Sequence, residues 1–238
     1  MLHSTREYQM SRNMNTRRSL YIICLLLLSA VGNKLDAQTV VKSVRQANDS
    51  TNHALIHQIG FDVRPGYVAP TNSFLEGDNA QRQKIDRSLS LHLKYAFQFS
   101  KDSYLGRLYP HAYQGIGVSH NTFYNSAELG NPVAVYAFQG APIVRLSSCL
   151  SLDYEWNFGA SFGWKQYDEH SNWYNDAIGS KINAYINLGF VLNWQFYPQW
   201  KLAAGVDFTH FSNGNTRYPN GGLNTIGANY IRYFDGVV

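Results

Sequence analysis

The sequence predicts an all-β chain closed into an eight-stranded antiparallel outer-membrane barrel behind a cleaved signal peptide. Three observations carry this. Aromatic residues make up 15% of the 238 residues and charged residues 15%, with 19 Gly, which excludes a disordered chain, a coiled coil and a collagen-like fibre. Apolar and polar residues alternate with period two in run after run, the pattern of strands with unlike faces. The runs reach or exceed the roughly 9–11 residues that a tilted membrane strand needs.

The first element is an export signal, residues 1–37. Arg17 and Arg18 precede an apolar run from Leu20 to Val31, and small or polar residues continue to Ala37. A positive end, about a dozen apolar residues and a small residue at the cut are the marks of a secretory signal. The run is shorter than the roughly 20 residues of a spanning helix. Met10 and Met14 are alternative starts, and Cys24 has no lipoprotein context. Of the 20 Lys and Arg and 16 Asp and Glu, five basic and two acidic residues lie in 1–37, leaving 15 against 14. The mature chain is therefore nearly neutral, and nucleic acid is not an expected ligand. Cys149 remains as a lone cysteine, so no disulfide within the chain is expected.

After a periplasmic segment at 38–54, the barrel occupies 55–238. Its strands are expected near 55–68, 87–99, 111–120, 132–147, 150–164, 181–197, 200–212 and 222–234. The alternation is cleanest in the fifth, where Leu152, Tyr154, Trp156, Phe158, Ala160, Phe162 and Trp164 share one parity. The sixth repeats it, with Ile182 to Phe196 on even positions and Asn183, Asn187 and Asn193 among the odd ones. A soluble sandwich or lipocalin-like barrel also alternates. Against it stand aromatics toward the ends of the apolar face (Trp164, Trp194, Tyr95, Phe99), as in interfacial girdles, and an opposite face too polar for a protein core. Connections after Val68, Trp164 and Ser212 are long and those at Ser148 and Pro198 tight, which matches outer loops and periplasmic turns. The stretch from Ser100 to Pro110 is longer than that rule favours. The chain ends a little past Phe234 without the terminal aromatic typical of bacterial barrels.

With an even strand number and periplasmic termini, the seventh strand runs outward. It reads LAAGVDFTHFS from Leu202 to Ser212, and its lipid-facing parity ends in His210 and Ser212. Residues two apart share a face, with Cα atoms roughly 6.5–7 Å apart, so the imidazole and hydroxyl come within reach of each other. A serine hydroxyl is a weak nucleophile that an adjacent imidazole activates. On the membrane side of a barrel, such a pair suits a lipid substrate. The plain alternative is two polar residues in the headgroup zone.

From His210 to Asn224 the chain reads HFSNGNTRYPNGGLN. This stretch resembles the PagL family of lipid A 3-O-deacylases, outer-membrane barrels with a His-x-Ser-Asn motif and a downstream Pro-Asn-x-Gly. Here these are His210, Ser212 and Asn213, then Pro219, Asn220 and Gly222. The resemblance implies Ser212 as nucleophile and His210 as general base. It implies Asn220, and less directly Asn213 or the Gly222 amide, as groups steadying the oxyanion. One departure stands out: the family's pattern has Glu fourteen residues after the His, where this chain has Asn224. An Asn can orient a His, as in Cys-His-Asn sites, without lending it charge. The expected row is therefore Ser212–His210–Asn224, acting on lipid A or lipopolysaccharide at the outer membrane of a Gram-negative bacterium. A non-catalytic barrel with a degenerate motif and a soluble periplasmic lipid carrier are the other readings.

Other signals are weaker. Gly159 to Gly163 fits G-x-S-x-G around Ser161, but inside an alternating strand and not at a strand–turn–helix elbow. His53 and His57 are spaced as a helical metal pair, without a third ligand or a helical pattern. His92, His111 and His120 read as lumen or rim residues, Asp168 to His170 as a loop tip, and Cys149 as inert. No phosphate loop, dinucleotide fingerprint or zinc motif occurs, so no cofactor and no metal are expected.

Overall fold

The computed structural model describes residues 55–237; the expected export signal, Cys24, His53 and the 38–54 segment lie outside the described residues. Eight strands make one closed sheet: β1 (Leu55–Val68), β2 (Arg87–Phe99), β3 (Tyr113–Thr122), β4 (Gly130–Arg145), β5 (Leu150–Trp164), β6 (Ile182–Tyr197), β7 (Trp200–Ser212) and β8 (Leu223–Val237). Each pairs antiparallel with its chain neighbours, and β1 closes onto β8. The expected strands are present, with β3, β4 and β8 displaced by a few residues. β3 starts late because His111 takes a left-handed φ of 65° just before it. β4 stops at Arg145 because Leu146 and Ser147 already donate to the Leu150 carbonyl across the turn.

Long connections 69–86, 123–129, 165–181 and 213–222 gather at one end of the barrel, the outer end. The inner end has 100–112, 146–149 and 198–199. The 100–112 segment is long because it holds a short helix, α2 (Tyr104–Leu108), capped by the Ser103 hydroxyl; α1 (Ser73–Glu76) in the 69–86 loop is capped by Asn72.

The outer surface of the barrel is an apolar band that includes Ile59, Leu93, Val135, Phe158, Leu188 and Val206, all exposed. With strands of 10 to 16 residues it defines a transmembrane barrel, since a sheet satisfies every backbone group in lipid only when it is closed. Tyr95, Trp194 and Phe196 line the outward face near the inner end, with Trp194 against Phe196. Trp164 does not join them. It is 4% exposed, stacks on Phe123 and donates its Nε1–H to Ser161 Oγ at 2.8 Å. The preceding Gly163 adopts φ 87°, where a side chain is strained, and the β4–β5 register slips between Gly130 and Val133. The bulge turns Trp164 inward against the expected parity.

Inside, the polar parity forms a bonded network. Arg64 bridges Asp62 at 2.6 Å and Asp207 at 2.7 Å, and Lys94 meets Glu155 at 2.5 Å. Asn187 donates to Asp207 and Thr209 and accepts from Asn157. Above it, toward the outer end, Tyr185, Phe211, Trp164 and Phe123 make an aromatic layer continuous with Phe74, Leu75 and Ile178 of the loops. The outer loops thus rest on an apolar plug, which gives β7 and β8 a firm outer rim.

Candidate active site on the outer face of the last hairpin

Along β7 the odd residues Asp207, Thr209 and Phe211 are buried in the barrel, while Leu202, Val206 and Phe208 are exposed on its outside. His210 and Ser212 share the outward parity and are half-buried. Across the β7–β8 ladder His210 is paired directly with Asn224, and across the β6–β7 ladder Ser212 is paired with Ala184. Sheet register alone therefore puts three polar side chains in one row on a lipid-facing surface.

The row is hydrogen-bonded throughout. The Ser212 hydroxyl lies 2.8 Å from His210 Nε2, and Asn224 Oδ1 lies 2.6 Å from His210 Nδ1. An amide oxygen only accepts, so Nδ1 carries the ring proton and donates it to Asn224. Nε2 then presents its lone pair to the Ser212 O–H. Chemically this is a hydroxyl with a base in place to take its proton.

The 213–222 loop folds over this row. Asn220 Oδ1 accepts the Asn213 backbone N–H at 3.0 Å, and its Nδ2 donates to Asn215 Oδ1 at 3.2 Å, leaving one amide hydrogen uncommitted. The Asn213 side chain donates to the Arg217 carbonyl at 2.8 Å. The Gly222 N–H donates to the Ala177 carbonyl at 3.0 Å, so that amide is engaged in holding two loops together. Of the three groups named for oxyanion stabilisation, the Asn220 and Asn213 side chains each have one amide hydrogen to spare, and the Gly222 amide has none. Gly222 also has φ 70°, and a Cβ there would sit 3.3 Å from His210 Cε1.

The anchors of this loop are not legible in the sequence. Gly221 N–H donates to the Asp176 carbonyl, Ala69 N–H to the Asn224 carbonyl, and Asn72 Nδ2 to the Gly222 carbonyl. All three partners lie far along the chain, and backbone carbonyls leave no trace in residue types. Gly179 and Gly221 are visible signals, because a Cβ would meet Pro219 O at 2.2 Å at the first and Asp176 O at 2.9 Å at the second.

The remaining candidates disperse. Ser161 is fully buried, donates to the Asn183 carbonyl and accepts from Trp164. His57 sits on a strand against Tyr95 at 2.7 Å. His92 is internal, between Tyr136 and Ser90, whereas His120 faces outward high on β3. His111 accepts from Arg145 at 2.8 Å at the inner rim, and burial together with that cation lowers its proton affinity. Asp168 accepts from Ser171 and His170 in the 165–181 loop, which holds its carboxyl below the usual range. Cys149 is an exposed free thiol beside Ser147. Among the described residues no three His, Cys, Asp or Glu side chains are grouped as metal ligands.

Fold and site together define a transmembrane β-barrel with a serine–histidine pair on its outer wall. The chain belongs to the PagL family, lipid A 3-O-deacylases, whose model matches residues 89–232. The match takes in β7, the 213–222 loop and most of β8. Among solved structures, similarity extends to the outer membrane enzyme PagL, with 11% identity over 72% of this chain and 97% of that one and a TM-score of 0.45. It extends likewise to Neisserial surface protein A (6% identity, 76% and 97%, TM-score 0.48) and to Ail of Yersinia pestis (10% identity, 78% and 99%, TM-score 0.36). Comparison with curated proteins finds no match.

Proposed function

We propose that this chain is an outer-membrane esterase that removes a fatty acyl chain from lipid A, at the 3-position by family membership, in a Gram-negative bacterium. The observation that carries the reading is the continuous Ser212–His210–Asn224 hydrogen-bonded row on the lipid-facing side of the β7–β8 hairpin. A soluble hydrolase would place such a row in a cleft. Here the membrane itself delivers the acyl ester.

In the proposed reaction Ser212 Oγ attacks the ester carbonyl while His210 Nε2 takes the hydroxyl proton. The tetrahedral oxyanion receives the spare Asn220 amide hydrogen; such a donor is typically worth about 3–4 kcal/mol in the transition state. His210 returns the proton to the departing sugar oxygen, leaving an acyl-enzyme. Water, deprotonated by the same imidazole, then releases the fatty acid and restores the serine. Asn224 keeps the imidazole oriented and its Nδ1 protonated throughout. Being neutral, it offers the imidazolium a dipole and no charge.

Mass spectrometry of lipid A from cells with and without the protein tests the activity. Loss of one ester-linked acyl chain is expected, and Ser212→Ala should abolish it. An unchanged acyl pattern in cells holding correctly assembled barrel, or undiminished hydrolysis by Ser212→Ala, would overturn the reading.

A further inference from the structure

Beside Ser212, on the side away from Asn224, the outer rim carries two cations. Lys181 and Arg217 line one open depression of about 470 Å³ with Gln166, Ser180 and Ile182. Both side chains are exposed, and neither forms an ion pair among the described residues. Elsewhere on this rim Arg82 pairs with Asp78 and Arg87 lies near Asp86. The position is set by register. Ile186 is opposite His210 and Ala184 opposite Ser212, so Ile182, the first residue of β6, lies further outward, and Lys181 immediately precedes it at the end of the 165–181 connection. Arg217 is brought there because its carbonyl is held by the Asn213 side chain, next in sequence to the nucleophile. The vertical order is that of an amphiphile: the cations at the rim with Ile182, the nucleophile beside small Ala184 beneath them, and exposed Ile186 and Phe208 further down the wall.

Building on the deacylase reading, we propose that Lys181 and Arg217 form an anion subsite for a phosphate monoester on the sugar that bears the scissile ester. A guanidinium presents paired donors that match phosphate oxygens, and an ammonium adds a mobile point charge. Binding the headgroup there would hang the acyl chain down the outer wall past Ser212. The subsite would thus choose phosphorylated glycolipids and fix their depth.

The test uses full-length protein in zwitterionic detergent, carrying Ser212→Ala so that the probe is not consumed. Binding of a 3-O-acylated glucosamine 1-phosphate amphiphile is compared with that of its dephosphorylated counterpart and of phosphatidylglycerol. We expect the phosphorylated sugar to bind about tenfold tighter than the dephosphorylated one, the scale of a charged hydrogen-bond pair. Adding Lys181→Gln with Arg217→Gln should erase that preference, and Lys181→Arg with Arg217→Lys should keep it. Equal binding of both sugars, a preference that survives the double Gln variant, or equally tight binding of phosphatidylglycerol would overturn the subsite. Hydrolysis by the parent protein is read separately. A phosphate preference in a protein with no hydrolysis would sink the deacylase reading and leave the subsite standing.

Discussion

Gly222 packs against the edge of the His210 ring, so close that a methyl group in its place would press on Cε1 from 3.3 Å. The loop closes over the imidazole because this position lacks a side chain and accepts φ 70°. A small residue thereby sets how closely the loop approaches the imidazole.

Gly222→Ala should therefore cost activity without unmaking the barrel. The left-handed backbone makes alanine unfavourable by roughly 1–2 kcal/mol, a local cost within a sheet held by eight strand pairings. Displacing the ring by a fraction of an ångström weakens the Ser212 contact, and misplacement of about 1 Å can cost about 10²-fold in turnover. Deacylation assays beside heat-modifiability on gels check this. Full activity in the variant would show that the loop yields and the ring does not.

Asn224 gives the second prediction. Asn224→Ala should lower turnover while the barrel assembles, since Nδ1–H loses its acceptor. Asn224→Glu should retain or raise activity, because a carboxylate orients the ring and also stabilises the imidazolium. In a serine triad the charged partner is worth up to about 10⁴-fold, part of which the 2.6 Å amide contact already supplies. Initial rates for the three proteins decide it. Indifference to Asn224→Ala would show that another group orients His210.

Ser161 separates the two serines. Ser161→Ala should leave hydrolysis intact, because this hydroxyl is enclosed in the barrel. It should lower stability by about 1–3 kcal/mol, the cost of leaving the Trp164 N–H without its acceptor. Urea unfolding in detergent, monitored by tryptophan fluorescence, reads the second effect. Abolished hydrolysis in a folded Ser161→Ala barrel would mean that the nucleophile had been misassigned.

The fourth prediction concerns the interior. Arg64→Leu removes the cation shared by Asp62 and Asp207 and leaves both carboxylates buried. Breaking one side of a buried ion pair costs about 3–5 kcal/mol. Arg64→Leu combined with Asp207→Asn and Asp62→Asn should recover much of that, since no charge is left without a partner. Denaturant midpoints of the two variants test the pairing. Equal midpoints for Arg64→Leu and wild type would show that water reaches the acids.

What could be read in the sequence is what local periodicity encodes. A strand in lipid must alternate, because one face meets hydrocarbon and the other meets its neighbours inside. The parity of Leu202 to Ser212 therefore set His210 and Ser212 pointing outward, and the same rule put Asn187 inside. The fourteen-residue spacing to Asn224 fits a hairpin whose strands pair there. The parity rule failed at Trp164, where Gly163 leaves the β conformation and turns the next residue inward. A glycine in a strand warns of such a break without saying that one occurs. Which polar groups remain available around His210 was also decided in three dimensions. The Gly222 N–H is used by the Ala177 carbonyl of another loop, and Ala184 stands beside Ser212 only because β6 pairs with β7. Alternation depends on neighbours along the chain, and so a sequence states it directly. Hydrogen-bond commitment and charge proximity depend on neighbours in space, which exist only once the barrel has closed.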